Sequence, residues 1–282
     1  MEPRCQGIPP EEFRLLREFV ASRFGIVIDD NRSHFLADRL SPRLRELGLS
    51  SFGEYYRHLK SSPHSADEFA HLITLITNNE TYFFREDGQL RVFAQEVLPE
   101  LRRLRAKERR LRIVSAGCSS GEEPYTLAML LVESGLFSTE WDLQIIGVDL
   151  DPQILGRANR GLYGQRSFQV TPQGLRERYF RPRDDGWQVR DLLARLCQFR
   201  QGNILGLPTV VQDEVDVLFC RNVLIYFTEE ALSRAIGGFS SLLAPHGSLF
   251  LGHAETLSRI RSDFVPHIRP GAVVYRRGGY EE

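Results

Sequence analysis

The chain has 282 residues, which suits one large domain or two small ones. With 42% apolar and 26% charged residues it can bury a sizeable core, so a disulfide-stapled miniprotein and wholesale disorder are both excluded. Thirty-six Lys+Arg against thirty-seven Asp+Glu leave a formal charge of -1, so no whole-protein field holds a polyanion and nucleic acid is not an expected partner.

The opening MEPRCQGIPPEEF lacks an apolar core of signal-peptide length, and no window reaches the apolar run of a membrane span. Cys5, Cys118, Cys197 and Cys220 form no CxxC pair and have no neighbouring His at ligand spacing. A reduced, cytoplasmic protein without direct membrane insertion or a bound metal is expected.

The first ninety residues read as helices. Leu15, Leu16, Phe19, Val20 and Phe24 form a stripe of helical period after Pro9-Pro10 and Glu11-Glu12. A second helix is predicted from Ser33 to Leu47, ended by Gly48, with Pro42 kinking it or splitting it after Ser41. SSFGEYYRHLK and ADEFAHLITLIT supply two more, each with Ser or Asp near its cap. Arg32, Arg39 and Arg43, spaced by seven and four, would share one face of an unbroken helix. That face reads either as a docking surface for acidic helices or as a solvated face on which Glu46 pairs with Arg43.

From about residue 111 the texture changes to short apolar runs, LRIVSA, LQIIGV, VDVLFC and SLFLGH, as in strands buried on both faces. Helical stretches alternate with them: EPYTLAMLLVESG, DPQILGRANRG and EEALSRAIGGFSSLL. The alternation predicts an α/β domain with a parallel sheet and helices on both faces. FVPHIR and AVVYRR, joined by Pro270-Gly271, should add an antiparallel strand at the end of the sheet.

Ligands of such sheets bind where strands end and helices begin. After LRIVSA the turn is Gly117-Cys118-Ser119-Ser120-Gly121-Glu122-Glu123-Pro124. It is not the GxGxxG of dinucleotide sites, and two carboxylates would repel a pyrophosphate. They suit an amino group or a sulfonium, or they simply favour a helix N-terminus. Asp149 ends the next strand, where α/β nucleotide sites hold a ribose, which suggests adenosine; alternatively Asp149 or Asp151 caps the helix opened by Pro152. Gln201-Gly202-Asn203-Ile204 and Arg221-Asn222 place polar amides at further strand ends. Cys118 and Cys220 read as small apolar fillers, and His253 as a packing or hydrogen-bonding residue.

Four segments, Thr77-Asn78-Asn79-Glu80-Thr81-Tyr82-Phe83-Phe84-Arg85-Glu86, Gly117 to Tyr125, Arg221-Asn222-Val223-Leu224-Ile225-Tyr226-Phe227 and Gly252-His253-Ala254-Glu255, together resemble the chemotaxis receptor glutamate O-methyltransferases, the CheR family. The resemblance runs from about residue 12 to 278. It implies an all-α N-terminal domain with its linker (1–88), then a Rossmann-like S-adenosylmethionine-dependent methyltransferase domain (89–282) with a small inserted β-subdomain near 170–197. It also implies that Asn79, Thr81, Arg85, Gly117, Glu122 (or its neighbour Glu123), Asp149, Asn203, Ile204, Arg221 and Asn222 bind the cofactor, and that Arg85 and Tyr226 sit by the reacting centre.

The expected reaction is methyl transfer from S-adenosyl-L-methionine to receptor glutamates, giving methyl esters and S-adenosyl-L-homocysteine. The expected partners are chemoreceptor cytoplasmic helices, docked through Arg32, Arg39 and Arg43, with the enzyme a monomer. Two departures stand out. Asp87-Gly88-Gln89-Leu90 replaces a histidine-containing stretch of many relatives. RPRDDGWQVRD offers only a short hairpin turn where members tethered to a receptor's C-terminal pentapeptide carry a longer glycine-rich one, so tethering is not expected. The alternative is a non-catalytic CheR-like module that senses the cofactor or scaffolds a signalling array. A methyltransferase for nucleic acid or small molecules is opposed by the neutral charge and the lack of an Asn-Pro-Pro-Tyr-type motif.

Overall fold

A computed structural model describes residues 7–61, 65–77 and 79–278. Two compact units divide there: the chain up to Thr77 together with Tyr226–Leu232, and Asn79–Ile225 together with Ser233 onward. Cys5 and Asn78 lie outside the described residues.

The helical unit contains α1 (Pro10–Phe24), α2 (Ser33–Glu46), α3 (Phe52–Ser61) and α4 (Ser65–Ile76). Its apolar stripes meet as expected, burying Leu16, Val20, Leu36, Leu40, Tyr55, Leu59 and Leu72. Phe19 lies 5.7 Å from Phe69 and 6.2 Å from Tyr56, an aromatic cluster between α1, α3 and α4. The expected split after Ser41 does not occur: α2 runs through Pro42. Leu40 and Leu44, both buried, hold the two sides of the proline in the core, while Ser41 Oγ donates to the Ala37 carbonyl at 2.6 Å. Packing outweighs the lost N–H. Gly48, left-handed at φ 67°, closes the helix as expected, with the Leu49 N–H on the Leu44 carbonyl. Residues 226–232 join this unit through the Val27 N–H on the Tyr226 carbonyl at 2.7 Å and a bridge between Ile26 and Phe227.

The second unit carries α5 (Asp87–Val92) and α6 (Leu98–Leu104), joined by a π-helical turn at Phe93–Val97. Next come β1 (Arg110–Ala116), α7 (Glu122–Glu133), β2 (Asp142–Asp149) and α8 (Pro152–Arg160). A short β3 (Leu162–Tyr163), α9 (Gln173–Tyr179), β4 (Phe180–Arg183), β5 (Gly186–Val189) and α10 (Asp191–Ala194) follow. The chain continues through β6 (Cys197–Gln201), α11 (Leu207–Val210), β7 (Val215–Cys220), α12 (Glu229–Leu242), β8 (Leu243–Leu251), β9 (Phe264–Arg269) and β10 (Ala272–Arg277).

Seven strands form one sheet in the order β6-β2-β1-β7-β8-β10-β9, parallel from β6 to β8 and antiparallel at β10 and β9. β6 breaks the pattern of continuous apolar runs: as an edge strand it exposes Gln198 and Gln201. Phe219 and Phe250, register partners on β7 and β8, stack at 4.5 Å, and Phe93 meets both rings edge-on from the π-helical turn. β3, β5 and β4 make a separate small antiparallel sheet. Phe83, fully buried, packs against Tyr163, Phe168 and Phe180 beneath it, which is why residues after Asn79 belong to this unit.

Gly88 stands where two main chains approach closely. A Cβ there would lie 2.4 Å from the Gly271 carbonyl oxygen, so the first turn of α5 passes the turn between β9 and β10 only without a side chain.

Candidate functional site

β1 pairs with β2 on one side and β7 on the other, and the loops after these strands part at that point. This is where open α/β sheets bind ligands. The loop after β1 is held by main-chain bonds: the Gly117 N–H reaches the Val148 carbonyl at 2.7 Å, and the Ser119 N–H the Asp149 carboxylate at 2.8 Å. Gly117 (φ 80°) and Gly121 (φ 92°) are required for close approach, but to protein. A Cβ on Gly117 would lie 2.4 Å from Val223, and one on Gly121 would lie 2.9 Å from Ala158 and 3.0 Å from Phe199.

The carboxylates at the strand ends divide their tasks. Asp151 caps α8, accepting the N–H groups of Gln153 and Ile154, and also receives Asn79 Nδ2 at 3.2 Å. Asp149 is not the cap. It accepts main-chain N–H groups of Ser119 and Asp151, and burial pushes its pKa above the usual carboxylate range despite those bonds. Glu122 opens α7, 3% exposed, with the hydroxyls of Ser120 (2.7 Å) and Ser167 (3.0 Å) on its two oxygens. Burial raises its pKa too. Glu123 faces elsewhere, accepting Ser115 Oγ at 2.7 Å and Arg221 Nη1 at 3.0 Å. One acid of the pair is neutralised by a guanidinium, whereas the other, among the described residues, makes no ion pair within contact distance. Ser167, which sequence reasoning missed, comes from the stretch between β3 and α9, and no signal near Glu122 announces it.

The segment 79–86 runs past these loops. The Asn79 carbonyl accepts Ser119 Oγ at 3.0 Å; Thr81 is half-buried; Arg85 donates to the Glu80 carbonyl at 3.0 Å and lies 5.8 Å from the centre of the Tyr82 ring. Arg221, only 7% exposed, turns its guanidinium to Glu123, to Glu86 at 3.4 Å and to the Arg85 carbonyl. Its side chain therefore joins loops of the chain, which narrows the ligand contact expected of it. Asn222 donates from Nδ2 to Glu86 Oε1 at 3.0 Å. His253 bonds the same carboxylate through Nδ1 at 2.9 Å and its N–H at 3.2 Å. Burial opposes ionisation of Glu86, but His253, Arg221 and Asn222 outweigh it and hold its pKa below the usual range. Asn203 Oδ1 caps the turn holding buried Ile204 by accepting the Leu205 N–H at 2.9 Å. Tyr226 belongs to the segment that packs with the helical unit.

Burial lifts the thiols of Cys118 and Cys220 well above the ordinary value, so both are neutral packing groups. Among the described residues no group of three or more His, Cys, Asp or Glu could hold a metal ion, and no helix is long and apolar enough to cross a membrane.

The arrangement fits S-adenosylmethionine. Buried Glu122, with no cationic partner in contact among the described residues, suits a cation, and Asp149, oriented by two main-chain N–H groups, suits a hydroxylated sugar. The comparisons agree. Residues 11–77 match the family model described as the all-alpha domain of CheR methyltransferase, and 79–268 the one described as its SAM binding domain. Chemotaxis protein methyltransferase 2 of Vibrio cholerae is 37% identical over 95% of this chain and 94% of its own length. The chemotaxis protein methyltransferases of Borreliella burgdorferi (33%, 89% and 90%) and Escherichia coli K12 (34%, 90% and 87%) are similar throughout. With both halves of the family pattern in order over nearly all of its length, the chain belongs to the CheR methyltransferase family.

Proposed function

We propose that the protein is a protein-glutamate O-methyltransferase that uses S-adenosylmethionine to esterify glutamate side chains on the cytoplasmic helices of chemotaxis receptors. The observation that carries this reading is Glu122: a buried carboxylate that takes the hydroxyls of Ser120 and Ser167, on the loop whose Ser119 N–H binds Asp149, in a chain of this family. When bound, the cofactor supplies a methyl group on a positively charged sulfur. Glu122 would hold its cationic methionyl part, Asp149 its ribose hydroxyls, and Asn203 Nδ2 and the residues around Ile204 and Asn222 the remaining edge, with Asn79 and Thr81 from the approaching segment.

The chain needs no general base. A substrate glutamate, with an ordinary pKa of about 4.3, is already ionised at neutral pH. Its oxygen forms the new bond to carbon as the carbon–sulfur bond breaks, leaving S-adenosylhomocysteine, and no proton moves. The residues have to align oxygen, methyl and sulfur and exclude water. Arg85 supplies a planar guanidinium for a carboxylate.

Receptor capture is assigned to the helical unit. The turn between β4 and β5 is only Asp184-Asp185, and Pro182 in edge strand β4 lacks an N–H for an added strand, which supports capture without a tail. Arg39 is exposed on α2 and Arg32 half-buried, both against the Phe35 ring. Arg43 is engaged by Glu68 and Glu46.

The test is to incubate the protein with methyl-labelled cofactor and receptor cytoplasmic fragments, then map base-labile methyl esters. Label on glutamates bears the reading out. Cofactor binding without transfer to any receptor fragment would return it to a cofactor-sensing module.

A further inference from the structure

Glu255 closes the Gly252-His253-Ala254-Glu255 segment and lies outside the residues assigned above. Its carboxylate gathers main-chain donors. Oε2 accepts the N–H groups of Gly252 (2.6 Å) and Asn222 (2.9 Å), and Oε1 those of Val223 (2.9 Å), Leu224 (2.7 Å) and Ile225 (3.3 Å). Four of the five belong to the loop after β7, which turns through Asn222 at φ 59°, a left-handed conformation that costs energy outside glycine. The side chain of Asn222 is tied separately to Glu86. Gly252 is part of the clamp, since a Cβ there would lie 2.7 Å from Glu255 Oε2 and 2.9 Å from the Asn222 nitrogen.

We infer that Glu255 is a positioning residue for methyl transfer: its carboxylate fixes the main chain of Asn222–Ile225, and through it both Asn222 at the cofactor and the point where the chain leaves for Tyr226. This inference rests on the functional reading above. Two oxygens shared among five converging N–H groups suit a carboxylate, because an amide in the same shape turns an NH2 group against donors.

The experiment compares wild type, Glu255→Gln, Glu255→Asp and Gly252→Ala by S-adenosylhomocysteine calorimetry, initial rates against receptor fragments and thermal unfolding. Glu255→Gln should remain folded, bind S-adenosylhomocysteine about 10-fold more weakly and lose about 10²-fold in kcat, while the receptor KM moves less than about threefold. Glu255→Asp, which keeps the charge, should recover part of the kcat. Wild-type kcat in Glu255→Gln, or a loss that vanishes when assays run well below its melting temperature, overturns the inference. If Glu255→Gln does not fold, Gly252→Ala disturbs the same clamp with the charge intact, and a folded Gly252→Ala with wild-type kinetics overturns it too. A wild type that binds but transfers nothing overturns the functional reading instead, and the calorimetric loss in Glu255→Gln then decides the positioning role alone.

Discussion

Two glutamates, Glu68 in the helical unit and Glu122 in the α/β unit, are each 3% exposed, and their pKa values are shifted in opposite directions. Burial pushes both upward. At Glu68 the Arg43 guanidinium (2.6 Å) and the Tyr55 hydroxyl (2.8 Å) more than offset it, and the pKa falls below the usual range. At Glu122 two serine hydroxyls do not, and the pKa rises. A buried charge given its counter-ion by the fold is structure, whereas one left with neutral donors is an unfilled electrostatic demand that a cationic ligand can meet.

The same kind of substitution should therefore have opposite effects at the two positions. Glu68→Ala strands the Arg43 guanidinium and the Tyr55 hydroxyl inside the helical unit and should cost about 3 kcal/mol of stability, read by denaturant unfolding, with Arg43's bond to Glu46 keeping it at the low end for a broken buried pair. Glu122→Gln removes an uncompensated charge, so stability should hold or rise slightly, while S-adenosylmethionine binding weakens by about 1–3 kcal/mol in calorimetry. A Glu122→Gln protein that unfolds like Glu68→Ala and binds normally would erase the distinction.

Acid separates the two sites without mutation. Glu68 has a depressed folded pKa, so the stability it contributes is complete above the ordinary glutamate range and is lost only as pH falls through its lower folded value. Glu122 and Asp149 have raised pKa values, so they take up protons first, before an exposed carboxylate would. Cofactor affinity should decline on mild acidification while helical content stays constant, and helix should be lost at lower pH. Calorimetry and circular dichroism over one pH series check the order. Simultaneous loss would mean that both carboxylates report global unfolding.

The contrast between the two glutamates also marks what could be read from the chain. Elements were legible because periodicity is local: the stripe on α1, the buried runs of β1, β2 and β7, the stop at Gly48 and the antiparallel pair of β9 and β10 all follow from residues a few positions apart. That Pro42 does not split α2 was not legible, because Leu40 and Leu44 gain their weight only from the assembled core. The positions of the strand-end acids were equally legible, but their partners were not. The Glu122 environment depends on Ser167, the separation of Glu122 from Glu123 depends on Arg221, and the loop after β7 is set by Glu255. Hydrogen bonds of that range leave no trace in spacing. Asp149 and Asp151 could both have capped α8; only the turn of the backbone decides for Asp151.

The smallest expected effect concerns α2, where the comparison sharpens into two neighbouring arginines. Arg39 is exposed, resting on Phe35 with one bond to the Leu75 carbonyl at 3.3 Å, whereas Arg43 serves buried Glu68. If α2 meets acidic receptor helices, Arg39→Glu should lower catalytic efficiency toward receptor fragments a few-fold, about the weight of a solvent-exposed ion pair. That loss should fade as salt rises, because the Debye length shrinks from about 10 Å at 0.1 M to about 3 Å at 1 M. Cofactor affinity and unfolding should not move. Arg43→Glu places two carboxylates together in the helical core, so its effect should be loss of stability that salt does not repair. Rates against tailed and tail-less receptor fragments at two ionic strengths, with unfolding curves for both variants, separate the cases. An Arg39→Glu enzyme with wild-type rates that depends wholly on the receptor tail would remove α2 from substrate capture, and would leave Arg43 with the structural role its bond to Glu68 already gives it.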